Sequence, residues 1–168
     1  MFLTFVLKWF IINMFKQSYT PEQAFQKAKQ YCAYQERCHS EVREKLYGYG
    51  LHRKEVDEIL SKLIEENYLN EERYARQFAG GRFRIKRWGR VKIKYELKKR
   101  GVSEYCIKKA LASIEGIDYM QTLQKLADSK MRMLKSEPNK LIRNRKIQMY
   151  LMQRGFEAEI VRQLIRGE

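Results

Sequence analysis

A chain of 168 residues with 44% apolar side chains is long enough for one compact domain or a short array of small ones. Two prolines and nine glycines leave little room for linkers or a strand-rich architecture, so the expected class is all-helical. Lys and Arg total 35 against 20 Asp and Glu, and a net charge of +15 favours polyanions: nucleic acid, an acidic protein or an anionic membrane.

In chain order, Met1 to Phe15 is apolar and aromatic but broken by Lys8 and Asn13, and it is too short to span a membrane. It has neither the basic start nor the small-residue cleavage site of a signal peptide. Residues 1–18 are therefore read as an N-terminal extension whose part before Met14 is not native. A membrane-surface anchor is the alternative reading.

Thr20-Pro21-Glu22-Gln23 is a capping box with proline at the first helical position, predicting a helix to about Gln35. Ser40 is expected to cap a short helix carrying Val42 and Leu46, stopped near Gly48 and Gly50. Val56, Ile59, Leu60 and Leu63 make the apolar stripe of a third helix. Asn70, with Glu71 and Glu72 behind it, opens the next helix, whose inner face holds Tyr74, Ala75, Phe78 and Ala79. A helix from about Trp88 to Arg100 ends at Gly101, and Ser103 caps another through Ile107, Ala110, Leu111 and Ile114. The remaining helices are expected to start near Asp118, Pro138 and Glu157.

These helices fall into one unit written three times. Eight residues before Gly50, Gly101 and Gly155 stand Val42, Ile93 and Ile147; four before stand Leu46, Leu97 and Leu151. One after come Leu51, Val102 and Phe156, and six after come Val56, Ile107 and Val161. Nine after come Ile59, Ala110 and Leu164; ten after, Leu60, Leu111 and Ile165. The repeat predicts a tandem array of three three-helix units, elongated and curved, at 19–68, 69–116 and 117–168. The glycines are expected at positive φ, where a Cβ costs roughly 1 kcal/mol. The third unit is longer, and its extra three residues are placed between its first and second helices.

Charge divides these units unevenly. Up to Glu72 there are 10 basic and 11 acidic residues; from Arg73 onward there are 25 and 9. The second and third repeats are thus the basic ones. The contact set for an anionic partner is Arg82, Arg84, Lys86, Arg87, Arg90, Lys92, Lys94, Lys98 and Lys99, extended by Lys140, Arg143, Arg145 and Lys146. Trp88 joins it as the head of an apolar stripe with Val91 and Tyr95, almost opposite the core face of Ile93 and Leu97. That stripe either packs on the neighbouring repeat or anchors a partner.

No catalytic constellation emerges. Gly80-Gly81 lacks the strand and the Gly-Lys-Ser/Thr ending of a P-loop, and His39 and His52 lie outside any defensible triad. Cys32, Cys38 and Cys106 are odd in number and irregular in spacing, which suits free thiols in a reducing cytosol. Cys32, Cys38 and His39 lack a fourth metal ligand. No cofactor and no metal are expected.

The segment Arg37-Cys38-His39-Ser40-Glu41-Val42-Arg43-Glu44-Lys45-Leu46 resembles the RecX regulators of bacterial recombination, as do Tyr68-Leu69-Asn70-Glu71-Glu72-Arg73-Tyr74-Ala75, Trp88-Gly89 and Lys98-Lys99-Arg100-Gly101-Val102. The resemblance implies a cytoplasmic, monomeric, non-enzymatic protein that binds the RecA–single-stranded-DNA filament without a membrane. It also implies limited filament growth and suppressed strand exchange, ATP hydrolysis and coprotease activity. Single- or double-stranded DNA is a further expected partner. The alternative reading is a general DNA-binding helical-repeat protein.

Overall fold

The computed structural model describes residues 19–167. The expectations for Met1–Phe15 lie outside the described residues. All regular structure in the described residues is α-helical, in nine helices: α1 Pro21–Tyr34, α2 His39–Gly48, α3 Arg53–Glu65, α4 Glu71–Lys86, α5 Arg90–Lys99, α6 Glu104–Ala112, α7 Gly116–Met133, α8 Lys140–Gln153 and α9 Ala158–Arg166. They form three three-helix repeats in tandem. The chain divides into two compact units between Glu71 and Glu72, so the first repeat is one unit and the other two share the second.

In the first unit the capping box at Thr20 forms as expected. Thr20 Oγ1 accepts from the Gln23 N–H at 3.3 Å, and Gln23 Oε1 accepts from the Thr20 N–H at 3.2 Å. Helices α1, α2 and α3 pack on one another around Ala24, Phe25, Val42, Leu46, Val56 and Leu63. One cap departs from expectation. Helix α2 starts at His39 with Cys38 at its cap, because Glu41 reaches back to accept from the Cys38 N–H at 3.3 Å while Ser40 Oγ meets the Cys38 thiol at 3.1 Å. Ser40 thus lies inside the helix, one residue past its start.

The three aligned glycines share one setting. Gly50, Gly101 and Gly155 take φ of 88°, 75° and 89°, each ending the middle helix of its repeat. At the last two, the following residue (Val102, Phe156) donates back to Leu97 and Leu151, which closes the helix end. The first four apolar columns are buried in every repeat. The last two loosen at Leu111, Leu164 and Ile165, which are only half-buried. The connection between the first two helices is longer in the third repeat, with 134–139 joining α7 to α8 where 87–89 join α4 to α5, and α8 itself has 14 residues against 10 in α5.

In the second unit α5 packs on α6, α7 on α8 and α8 on α9. Gly80 and Gly81 lie inside α4, and Gly80 is buried beneath Arg84, whose guanidinium would sit 2.9 Å from a Cβ there. Helix α7 opens at Gly116, slightly before Asp118, and α8 opens past Pro138 with Asn139 Oδ1 accepting from Leu141 and Ile142.

Candidate functional site

The end of α4 and the start of α5 carry an alternating ladder of cations and rings. Arg82 lies over Phe78 at 4.9 Å and over Trp88 at 5.3 Å, Lys92 covers Trp88 at 4.8 Å, and Arg100 covers Phe78 at 4.9 Å. The backbone turn between the helices builds it. Arg87 enters the left-handed region at φ 54°, the Arg87 N–H donates to Phe83 O at 3.0 Å, and the Trp88 N–H donates to Arg82 O at 3.3 Å. Trp88 is half-buried, whereas Val91 is 54% exposed and Tyr95 66%. Packing against the neighbouring repeat therefore does not account for this stripe.

That packing lies elsewhere on α5, at a joint between the second and third repeats. The Gly89 N–H donates to Arg154 O at 2.9 Å and the Val91 N–H to Gly155 O at 3.0 Å, while Arg154 Nη1 reaches Lys86 O at 2.9 Å. Behind these bonds stands Tyr119, 1% exposed and flanked by Phe83 and Phe156 with ring centroids at 5.8 and 5.0 Å. Its hydroxyl accepts from the Arg90 N–H at 3.0 Å and donates to Glu157 Oε2 at 2.5 Å. Burial first, and then the bond to Glu157, hold the Tyr119 hydroxyl well above the ordinary tyrosine range.

Arg90 belongs to this joint. Its guanidinium stacks on Tyr119 at 4.1 Å, donates to Ile114 O at 2.9 Å and comes within 4.0 Å of Glu157. It is thus held inside the fold, unlike its neighbours in the basic run. Lys94 and Lys98 both pair with Glu104, the former at 3.5 Å, and Lys146 pairs with Glu137 at 2.6 Å. Among the described residues no carboxylate pairs with Arg84, Lys86, Arg87, Lys99, Lys140 or Arg145, all of which are exposed. The structure thus brings Arg82, Lys86, Arg87, Trp88 and Lys92 together beside the joint. Lys140, Arg143, Arg145 and Lys146 start roughly 12 Å along α8 from Arg154 and stand apart from the ladder.

Sequence reading missed Phe78 as part of the ladder, and Gly89, Tyr119 and Glu157 as parts of the joint. Tyr119 follows the helical period as any core aromatic does, and nothing local marks a partner 38 residues away.

The ion pairs carry a pH prediction. Glu72, Glu104 and Glu137 are held below the usual carboxylate range, foremost by their hydrogen bonds from Lys109, Lys98 and Lys146. A depressed folded-state pKa contributes stability above the unfolded value near 4.3, and that stability is lost as pH falls below it. The melting temperature should be flat from pH 7 to about 5 and then drop, with Glu104→Gln shallowing the drop. An acid limb unchanged by that variant and by 1 M salt would contradict this account.

Among the described residues no three His, Cys, Asp or Glu side chains group as metal ligands, and no helix is long and apolar enough to cross a membrane. The three cysteines are free and buried.

Family models described as the first, second and third three-helix domains of RecX match residues 24–63, 70–111 and 117–165. The regulatory protein RecX of Prosthecochloris aestuarii is 30% identical over 145 residues, covering 85% of this chain and 91% of the relative. That of Clostridium perfringens is 33% identical over 127 residues, covering 75% of this chain but only 59% of the relative. The crystal structure of RecX from Lactobacillus salivarius superposes with a TM-score of 0.80 at 24% identity, over 88% of this chain and 95% of that one. A second crystal structure of regulatory protein RecX gives 0.76 at 25% identity, over 88% and 74%.

Proposed function

The chain belongs to the RecX family, and on that premise we propose that it regulates the RecA recombinase by binding the RecA–single-stranded-DNA filament. Bound there, it limits filament growth, ATP hydrolysis and strand exchange as a ligand and not as a catalyst. The observation that carries this reading is the surface of α4 and α5. Exposed Lys86, Arg87 and Lys99 lack internal counter-ions among the described residues, and they stand near an open apolar stripe of Val91 and Tyr95. Such a surface repels itself until an acidic partner neutralises it. Aromatic and arginine side chains supply anchoring at a protein interface.

Arg87 sharpens the reading. At φ 54° a glycine would relax the turn, so the arginine is kept at a backbone cost of roughly 1 kcal/mol, and strain of this kind gathers at working sites. Arg87→Gly should therefore raise stability by up to about 1 kcal/mol while weakening inhibition. A purely structural role predicts the first effect without the second.

The direct test is single-stranded-DNA-dependent ATP hydrolysis by RecA, titrated with this protein. Lys86→Glu, Arg87→Glu and Lys99→Glu together should abolish inhibition with the helical circular dichroism unchanged. Full inhibition by that triple variant would remove this surface from the mechanism. The cation–ring ladder favours one second reading, direct binding of single-stranded DNA by base stacking. Tight binding to bare oligonucleotide at physiological salt, falling steeply as salt rises, would favour it over preformed filaments.

A further inference from the structure

The mouth of the α7–α8 hairpin holds a cleft that the ladder does not include. It measures about 460 Å³ and is lined by Asp128, Met131 and Arg132 at the end of α7, Lys135 in the connection and Arg143 on α8. Three cations thus line it with one carboxylate, and Asp128 already accepts from Gln124 at 2.8 Å. Arg143 reaches the Glu137 carbonyl through Nη1 at 3.4 Å, but its Nε is shielded from solvent and has no acceptor. A guanidinium carries five N–H donors and the bond to Glu137 uses one, so Arg143 keeps donors for an incoming acceptor. Met131, Met133, Leu141 and Ile142, which belong to the same hairpin end, are 48%, 73%, 82% and 43% exposed. Flexible apolar side chains gathered on a surface are characteristic of sites that receive a partner.

We propose that this cleft seats an acidic segment of a partner protein, with a carboxylate taken by Arg143, Arg132 and Lys135 and an adjoining apolar side chain laid on Met131. The proposal rests on the reading of these repeats as a protein-binding surface. One feature favours a carboxylate-bearing peptide over nucleic acid. The apolar end offers contact to an aliphatic or aromatic side chain, which a sugar–phosphate backbone lacks.

The test is fluorescence anisotropy of the full chain with a labelled short peptide in which aspartates and glutamates flank a Leu-Phe pair. The acidic peptide should bind, and its Asn/Gln counterpart should bind at least about tenfold more weakly. Arg143→Gln should weaken the acidic peptide by about tenfold, equivalent to 1.4 kcal/mol. Should Arg143→Gln fail to fold, Arg132→Glu with Lys135→Glu, both at exposed positions, should give the same loss. Equal binding of the two peptides, or acidic-peptide binding unmoved by the variants, would overturn the proposal. So would an oligothymidylate that the variants weaken while the peptide is unaffected, which would give the cleft to nucleic acid. RecA inhibition measured on the same samples separates the two readings. Wild-type inhibition without peptide binding sinks only the cleft, whereas absent inhibition sinks the regulator.

Discussion

Replacing Gly155 with alanine is expected to destabilise the protein by about 3 kcal/mol, while the same change at Gly101 costs only about 1 kcal/mol. Both glycines occupy positive φ, at 89° and 75°, so the backbone strain of a Cβ is common to both. The difference is space. A Cβ at Gly101 meets no atom within 4 Å, but one at Gly155 would lie 2.6 Å from the Lys92 backbone nitrogen and closer still to Lys92 Cβ. Backbone on α5 cannot swing away as a flexible side chain does, so the joint itself must open. Gly89 is the reciprocal position, because a Cβ there would strike the Gly155 carbonyl although Gly89 has ordinary φ of −76°. Urea unfolding followed by circular dichroism measures the contrast between Gly155→Ala and Gly101→Ala. Equal losses at the two sites would mean that only the turn, and not the joint, requires Gly155.

The second large effect is expected at Tyr119. Truncation to alanine should cost about 4 kcal/mol, since a ring that is 1% exposed and set between Phe83 and Phe156 would leave a cavity. Tyr119→Phe keeps the stacks and removes only the hydroxyl, leaving the Arg90 N–H and Glu157 without their partner at a cost of about 2 kcal/mol. The hydroxyl, which both changes remove, also carries a pH signature. The Tyr119 hydroxyl is held above its ordinary range, so its contribution is complete below the unfolded value near 10 and declines as pH rises beyond it. Tyr119→Phe should flatten that alkaline decline. A phenylalanine variant as stable as the parent at pH 7 would show that the hydroxyl bonds are replaceable by water. Joint variants should lose RecA inhibition only in step with unfolding, whereas Lys86→Glu, Arg87→Glu and Lys99→Glu should lose it while folded.

The joint also shows where reading residues in order stops. Arg90 sits in the same basic run as Arg87 and Lys92 and looks equally available, yet its guanidinium is taken by Ile114 O, Tyr119 and Glu157. Lys94 and Lys98 share Glu104, just beyond the turn that ends their helix. Val91 and Tyr95 lie opposite the core face, and aromatic size argued for burial as readily as for a partner. Their exposure follows from where the third repeat docks, on Gly89 and Lys92. Ser40 is not the cap for a simpler reason, because the helix already begins one residue before it, at His39.

The order of residues alone determined the helical class, the threefold repeat, the left-handed glycines, the placement of the longer third connection and the division of charge. Each is a local property, governed by side-chain period, by the φ that lacks a Cβ penalty, or by composition. Only the tertiary structure decided which cations face outward and which are locked into the fold. That choice depends on pairs such as Arg90 with Ile114 and Tyr119 with Glu157, 24 and 38 residues apart. Their meeting is fixed by how α7 and the Gly155 turn close onto α5, and no spacing along the chain encodes that angle.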